Sequence, residues 1–361
     1  MQLTADALTQ LLAIGWPDDA EARATLEALP DGRLARVSAQ HRSGYTVATA
    51  ADHEFSAQAL AAWMRPRFPP EQRAVVGDWV LLEPSSDQIV VLLPRRTLLK
   101  RAAAGEAYKQ QAIAANIDNV LVVSGLDMDF NPRRLERYLV LVRASGAEPV
   151  LVLTKNDLHP DTDVAALLAG ISDQGVAIHR VNAKDPESVA VLHPYLGPGC
   201  SAVLIGSSGA GKSTLTNTLL GIQKIRTAAV REHDSRGRHT TTHRALIALP
   251  QGGCLIDSPG MRELKLTGEE SLEDGGFEDI EALVTQCRFN DCRHVSEPGC
   301  AVRAALEAGS LDAARYANYR KLGGEVAAAA QGLAAQQARR ADVRVADKAY
   351  KKRLDDKYGR H

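Results

Sequence analysis

The feature that most constrains the fold is a glycine-rich loop between an apolar run and a helical stretch. It has the pattern G-x-x-x-x-G-K-[ST] and comprises Gly206, Ser207, Ser208, Gly209, Ala210, Gly211, Lys212, Ser213 and Thr214. Its glycines let backbone N–H groups surround phosphate oxygens, and the helix N-terminus adds positive potential. In such a loop Lys212 bridges the β and γ phosphates and Ser213 binds Mg²⁺. The loop therefore predicts an α/β domain that binds a nucleoside triphosphate, with Lys212 in a catalytic role.

A second phosphate-side motif lies downstream. Asp257 ends the apolar run Cys254–Ile256, and Gly260 follows three residues later. An acid at the end of such a strand can hold the hydration shell of Mg²⁺, and the Gly260 N–H can sense a γ phosphate. The spacing indicates a switch II segment.

The segment Thr154, Lys155, Asn156 and Asp157 follows the apolar run Val150–Leu153. It resembles the [NT]-K-x-D motif of GTPases, in which the Asp carboxylate accepts from the N1–H and N2 amine of guanine. Adenine offers neither donor there, so the motif favours GTP over ATP. Ala183 and Lys184, after Asn182, resemble the accompanying [ST]-A-K loop, whose backbone N–H meets guanine O6.

The order of these motifs is unusual, because the guanine segments precede the phosphate loop. Ordinary small GTPases have the reverse order, and the chain therefore resembles a circularly permuted G domain. Permutation keeps every strand and site but moves the chain ends, which leaves room for an added domain on each side.

The N-terminal flank, residues 32–101, contains several short β-like runs, which suggest a small barrel. It has ten Lys or Arg against six Asp or Glu, with Tyr45, Phe55, Trp63, Phe68 and Trp79 interspersed. Two interpretations remain open. The segment is an RNA-binding surface of the OB type, on which aromatic rings stack with bases, or the aromatic residues form the core and the charges are merely solvated.

The C-terminal flank carries three cysteines and a histidine within fourteen residues, Cys287, Cys292, His294 and Cys300. A closed Cys3His set suits a tetrahedral structural zinc ion and leaves no open position for catalysis. The alternative is a group of buried free thiols. Cys200 and Cys254 lie in apolar segments that are predicted to form strands, and we expect both in the core.

Composition excludes several classes of protein. Hydrophobic residues make up 45% and charged residues 24%, as in ordinary globular proteins, and the net charge is −1. The N-terminus lacks the charged start of a signal peptide, and the longest uncharged run, 189–211, is broken by prolines and glycines. We therefore predict a cytoplasmic protein with no membrane partner. Residues 334–361 carry nine Lys or Arg and four Asp, a basic tail that either contacts RNA as a helix or is solvated and partly disordered.

Further short motifs narrow the family: Val76–Val80 (VGDWV), Leu93–Arg96 (LPRR), Ala115–Asp118 (ANID) and the cysteine cluster. With the permuted G motifs, they resemble the ribosome small-subunit-dependent GTPase A family, RsgA, also called YjeQ. The resemblance covers roughly residues 32–320. It implies an N-terminal OB fold, a permuted GTPase domain and a C-terminal zinc domain. It also implies GTP hydrolysis that the small ribosomal subunit stimulates during its late maturation.

Met261 stands where many small GTPases carry the Gln that orients the attacking water molecule, and methionine has no group for that role. Between the phosphate loop and Asp257, residues 236–243 form a polar stretch typical of switch I. There Thr241, or a neighbouring threonine, is expected to bind Mg²⁺. His239 is either the residue that orients the water or an ordinary switch or RNA contact.

We therefore predict a multidomain chain: an N-terminal extension (1–31), an OB-fold β-barrel (32–101), an α/β circularly permuted P-loop GTPase domain (102–270), a helical zinc-binding domain (271–330) and a basic tail (331–361). The predicted function is GTP hydrolysis by a monomeric factor for late 30S subunit assembly, with GTP and GDP, the 30S subunit and 16S rRNA as partners, and with one structural Zn²⁺ and Mg²⁺ as cofactors. A P-loop ATPase or kinase unrelated to the ribosome, or a non-catalytic RNA-binding module, are the alternatives.

Overall fold

The structure is a computed structural model that describes residues 4–41, 44–65, 68–102, 110–172, 174–221, 245–257 and 265–358. Two short helices open the chain, α1 (Ala5–Ala13) and α2 (Ala20–Ala28). The side chains of Thr4 and Asp19 accept hydrogen bonds from the first turns of these helices, which satisfies donors that have no intrahelical partner. Leu11, Ile14 and Leu26 then pack against the strands that follow.

Five antiparallel strands form the next unit: β1 (Arg33–Gln40), β2 (Tyr45–Ala50), β3 (His53–Ala57), β4 (Trp79–Leu82) and β5 (Ile89–Leu92). Strand β1 pairs with β2 and β4, β2 with β3, and β4 with β5. A parallel bridge between Gln58 and Gln88 joins the end of β3 to the start of β5, which completes a ring. The ring encloses a buried apolar cluster that includes Val37, Val47 and Val80.

The aromatic residues of this segment mostly belong to its core. Tyr45, Trp63 and Trp79 are buried, and Phe55 and Phe68 are partly buried against the same unit. Arg36 is fully buried, and Arg95 forms an ion pair with the buried Asp78. The core interpretation of the aromatic residues is therefore confirmed for Tyr45, Trp63 and Trp79. Among the described basic residues of this segment, Arg36 is buried and Arg95 is partly buried against Asp78.

A hairpin leads from the ring to the second unit, β6 (Leu98–Ala102) with β7 (Gln110–Ala115). The second unit contains the parallel strands β8 (Asn119–Gly125), β9 (Glu148–Thr154), β10 (Ala177–Arg180), β11 (Ser201–Ile205) and β13 (Cys254–Asp257), with the antiparallel β12 (Ala245–Ala248) beside β13. The strand order is β10-β9-β8-β11-β13-β12, and β12 pairs with β1 through Ala245 and Ala39. The two units therefore share one eleven-stranded sheet.

Helices cover both faces of the parallel part: α3 (Pro132–Arg143), α4 (Val164–Leu167), α5 (Ala169–Ser172), α6 (Pro186–Val189) and α7 (Lys212–Leu220). One apolar cluster joins Val122 and Leu151 to Leu139 of α3, and the other joins Leu121 and Val152 to Leu215 of α7. Strands that are apolar on both sides fit this arrangement, since both faces of a parallel sheet are buried.

The C-terminal part is helical, with α8 (Glu278–Thr285), α9 (Ala301–Glu307) and α10 (Ala313–Tyr358). The described residues also include short 3₁₀ segments at Pro70–Gln72 and Ala190–Tyr195 and a π-helical turn at Glu273–Phe277. Helix α10 continues through residue 331 without a break, so the basic segment extends the same helix. The buried Arg315 of α10 donates hydrogen bonds to Glu136 of α3 and to Asp279 of α8. These bonds attach the C-terminal helices to α3, which packs on the sheet. None of the helices described combines the length and apolar character needed to cross a bilayer.

Candidate nucleotide site and metal centre

The glycine-rich loop lies where predicted, between β11 and α7. Gly206 has φ 146°, and a Cβ there would lie 2.1 Å from the carbonyl oxygen of Val123 in β8. Only glycine allows the loop to approach β8 so closely. Lys212 Nζ donates to the carbonyl oxygens of Gly206 (2.6 Å) and Ser207 (2.5 Å), so its ammonium group lies across the loop.

The 154–157 segment contacts that loop directly. Thr154, at the end of β9, is fully buried, and its Oγ1 donates to the carbonyl oxygen of Ala210 over 2.6 Å. Gly211 packs beside it, since a Cβ there would lie 3.2 Å from Thr154 Oγ1. Asp157 is exposed beyond the strand end, where its carboxylate is free to meet a ligand's donors.

The 182–184 loop follows β10 and is tied to the helix of the glycine-rich loop. Thr218 Oγ1 of α7 donates to the carbonyl oxygen of Ala183 over 2.6 Å. Asn182 Oδ1 accepts from the backbone N–H of Lys184 over 3.1 Å, which shapes the loop. The three loops after β9, β10 and β11 therefore lie together at the carboxyl edge of the sheet, the edge at which open α/β sheets bind ligands.

Asp257 ends β13 at the same edge. Burial raises the pKa of its carboxyl group, and the positive charge of Lys212 acts in the opposite direction. A positive charge nearby, whether that of Lys212 or that of a bound cation, favours the ionised form of this half-buried carboxyl group. His239, Thr241, Gly260 and Met261 lie outside the described residues.

Two acids near these loops were not found from the sequence. Asp127 and Asp129 follow β8; Asp127 forms an ion pair with Lys155, and Asp129 accepts from Arg134 over 2.9 Å. Their position after a parallel strand resembles that of Asp157. They belong to no motif of fixed spacing, however, so the sequence does not indicate that they lie near the site. Their contacts depend on β8 and β9 being neighbours in the sheet.

The predicted metal ligands also come together. One possible ligand atom from each of Cys287, Cys292, His294 and Cys300 lies within 4.8 Å of the others. Cys287 Sγ is 3.9 Å from Cys300 Sγ, and His294 Nδ1 is 3.5 and 3.4 Å from these two sulfur atoms. Tetrahedral zinc with Zn–S bonds of about 2.3 Å places sulfur atoms about 3.8 Å apart, so these residues fit the ion. Cys254 is buried as expected, and Cys200 is half-buried.

The short motifs at 76–80, 93–96 and 115–118 have a different location. They lie at the junction between the ring of strands and the parallel sheet. Residues of the 76–80 and 115–118 motifs contact the guanidinium of Arg36. The 93–96 motif joins them, because Arg95 pairs with Asp78 and the N–H of Arg96 donates to Asn116 Oδ1 over 3.0 Å. Arg36 donates to the carbonyl oxygens of Gly77 (3.1 Å) and Asn116 (2.8 Å) and to Ser201 Oγ of β11 (2.6 Å). These motifs therefore join the two units and contribute no side chain to the three loops.

A glycine-rich phosphate loop on a central parallel strand, with the strands of the 154 and 183 segments preceding it in the chain, defines a P-loop protein of circularly permuted order. Comparisons with known proteins give its family. The model of the RsgA GTPase family matches residues 92–267. The "Small ribosomal subunit biogenesis GTPase RsgA" of Xanthomonas campestris pv. campestris is 62% identical over 330 residues, 90% of each chain. The relative of the same name from Xanthomonas axonopodis pv. citri is also 62% identical over 330 residues. The chain belongs to the RsgA GTPase family.

Solved structures agree with this membership. YjeQ from Thermotoga maritima has a TM-score of 0.59 at 27% identity, covering 81% of this chain and 98% of its own. YloQ, described as a circularly permuted GTPase, has a TM-score of 0.57 at 22% identity, covering 82% of this chain and 95% of its own. The second likeness concerns the fold alone.

Proposed function

We propose that this chain hydrolyses GTP as an assembly factor for the small ribosomal subunit, which stimulates the hydrolysis. The observation that carries the proposal is the convergence of the three loops. Thr154 is bonded to the phosphate loop and Ala183 to its helix, so a base site and a phosphate site adjoin. Relatives that are 62% identical carry the name of a small ribosomal subunit biogenesis GTPase, which supports the ribosomal role.

On the phosphate side, Gly206 to Thr214 enclose the phosphates with backbone N–H groups. Lys212 turns from its present carbonyl partners to the β and γ phosphates. Ser213 and Thr241 would hold Mg²⁺, Asp257 would hold its hydration shell, and the Gly260 N–H would meet the γ phosphate. Mg²⁺, when bound, neutralises charge that develops on the phosphates. The half-buried carboxylate of Asp257, beside Lys212, supports its part in this site.

On the base side, Asp157 accepts from the N1–H and N2 amine of guanine. Thr154, Lys155 and Asn156 form the segment that carries Asp157, and the backbone of Ala183 and Lys184 meets guanine O6. The exposed position of Asp157 and the bond from Thr154 to Ala210 support this assignment. Adenine lacks both donors, so ATP binds much more weakly than GTP.

Hydrolysis needs an oriented water molecule, and Met261 provides no polar group for it. We assign this role to His239, whose imidazole can accept a hydrogen bond from water near neutral pH. We expect slow turnover by the free protein and faster turnover on the ribosomal subunit, because contact with the subunit orders the switch residues.

The flanking parts serve attachment to 16S rRNA. The strand order β1-β2-β3-β5-β4 of the ring supports the proposal of an OB fold. The proposed domains are 1–31, 32–101, 102–270, 271–330 and 331–361. Because Tyr45, Trp63 and Trp79 are buried, the barrel binds RNA through exposed charges rather than through these rings. The four ligands Cys287, Cys292, His294 and Cys300 hold one structural Zn²⁺. The protein acts as a monomer in the cytoplasm.

The test is steady-state hydrolysis of GTP and of ATP, each with and without purified 30S subunits. We expect GTP-selective turnover that 30S subunits increase strongly. Hydrolysis of ATP at the same rate would favour a P-loop ATPase or kinase. GTP hydrolysis that 30S subunits leave unchanged would contradict the ribosomal role and leave the GTPase assignment in place.

A further inference from the structure

The ion pair between Lys155 and Asp127 has no part in the site as assigned so far. Both side chains are 30% exposed, and they come from adjacent parallel strands, β9 and β8. Asp127 is fixed by its own turn, because its Oδ1 accepts from the backbone N–H of Asp129 over 3.2 Å. Desolvation raises the pKa of Asp127, but the bonds from Lys155 and Asp129 outweigh it and keep this pKa below its usual value. The acid is therefore a charged and positioned partner for the lysine.

Lys155 also has an unusual backbone. Its φ is 61°, in the left-handed region that non-glycine residues seldom adopt. Such a conformation persists where the surroundings hold it, and it is common at ligand-binding sites. Thr154, one residue earlier, is held by Ala210 of the phosphate loop. The backbone of Lys155 therefore starts from a fixed point beside that loop.

The aliphatic part of Lys155 packs against the backbone of Gly125 at the end of β8. A Cβ at Gly125 would lie 3.3 Å from both Cδ and Cε of Lys155 and 3.1 Å from Asp127 Oδ1. The absence of a side chain at Gly125 thus lets the lysine extend along the end of β8 to reach the acid. The four methylene groups of a lysine can cover an apolar surface such as the face of a purine base while the ammonium group stays solvated.

We propose that Asp127 is a positioning residue of the nucleotide site, which holds Lys155 extended so that its stem covers the bound guanine base. This role rests on the proposed function, since it requires a guanine nucleotide in the site. Asp127 acts through Lys155 and touches neither phosphate nor Mg²⁺. Its loss lets the lysine leave the base, and GDP and GTP then dissociate faster.

The test is the dissociation rate of fluorescently labelled GDP from the full chain, measured for Asp127→Asn, Lys155→Met and the double variant. An exposed ion pair contributes up to about 1 kcal/mol, so Asp127→Asn should release GDP about fivefold faster. In the Lys155→Met background, Asp127→Asn should have no further effect, because the group through which it acts is gone. Asp127→Glu should restore part of the slow release.

Asp161→Asn is the matched control, since it removes an exposed acid after the same motif and should leave the rate unchanged. Equal acceleration by Asp127→Asn in both backgrounds, or none in either, would overturn the positioning role. Failure of the unmodified chain to bind labelled GDP would instead overturn the proposed nucleotide site, and this role with it.

Discussion

Arg36 and Asn116 are joined by a 2.8 Å hydrogen bond from the guanidinium Nη2 to the main-chain carbonyl oxygen, in the fully buried junction between the ring of strands and the parallel sheet. The same guanidinium donates to Ile14 of the N-terminal segment (2.5 Å) and to Ser201 of β11 (2.6 Å). Trp79 lies against it, with the ring centroid 5.1 Å away. One side chain therefore links three parts of the chain through uncharged acceptors.

Replacement of Arg36 should destabilise the whole molecule. Arg36→Met keeps an apolar chain beside Trp79 but leaves several buried oxygens without a donor, each worth about 1–3 kcal/mol. We expect the free energy of unfolding in urea to fall by at least about 3 kcal/mol. Arg33→Met, which breaks the exposed pair with Asp87, should cost less than about 1 kcal/mol. Equal losses in the two variants would show that the junction contributes no more stability than an exposed ion pair.

Gly206 should tolerate no side chain. Gly206→Ala would bring a Cβ within 2.1 Å of the Val123 carbonyl oxygen, so the loop must move away from β8 and GDP binding should be lost. Gly209 also has a positive φ (82°), but a Cβ there meets nothing within 4 Å. Gly209→Ala should therefore lower the melting temperature of the free protein less than Gly206→Ala. The reverse order of melting temperatures would contradict the close packing of the loop on β8.

Asp157→Asn should change which nucleotide binds. Xanthine carries a carbonyl oxygen in place of the guanine N2 amine, and an amide can donate to it where a carboxylate cannot. We expect the affinity for GDP to fall by at least about tenfold and that for the xanthosine diphosphate to rise. Competition binding with the two diphosphates measures both changes. An unchanged preference for GDP would exclude Asp157 from base recognition.

The cysteine cluster should hold one zinc ion per chain. Cys292→Ser removes one of the four ligands and should reduce the zinc content, measured by atomic absorption, to well below one per chain. Cys200→Ser, which alters a half-buried cysteine outside the cluster, should leave it unchanged. Loss of zinc in the Cys200 variant alone would contradict the ligand assignment.

The attachment of α10 to α3 should weaken in acid. The hydrogen bond from Arg137, with Arg137's charge, holds the pKa of Glu325 below its usual value. A depressed carboxyl pKa stabilises the folded state at pH values above the unfolded pKa of about 4.3, and this contribution disappears as the pH falls through the folded value. The protection of α10 amides against hydrogen exchange, corrected for the pH dependence of the intrinsic exchange rate, should therefore fall below about pH 4. In Glu325→Gln, this part of the acid dependence should be absent, and an identical pH profile would refute it.

Much of the sheet was predictable from the sequence, because its strands are short runs that are apolar throughout. The apolar runs 150–153 and 254–256 lie within β9 and β13. Strand β3 was not predicted, since His53, Glu54 and Ser56 face solvent and leave no apolar pattern. Strand β12 was missed as well, because its four residues are too few to show an alternating pattern of apolar and polar side chains.

The three loops and the metal ligands were predictable for a different reason: their chemistry fixes both residue types and spacing. The burial of Arg36 was not, because an arginine in a strand is normally exposed and its acceptors lie 22 to 218 residues away. The ion pair of Asp127 with Lys155 likewise requires the strand order. Local pattern thus identified the groups that we propose to contact ligand, while their supporting partners depend on long-range contacts.

The pairing of β12 with β1 bears on how the molecule can be divided. A shortened chain that begins near residue 92, where the match to the family model begins, lacks β1 and leaves the outer edge of β12 without its neighbour at Ala245. Unpaired strand edges recruit strands from other molecules. The excised GTPase part should therefore self-associate, and the turbidity of its solutions should rise with protein concentration. In the full chain, the ring of strands pairs with this edge of the sheet and blocks such association.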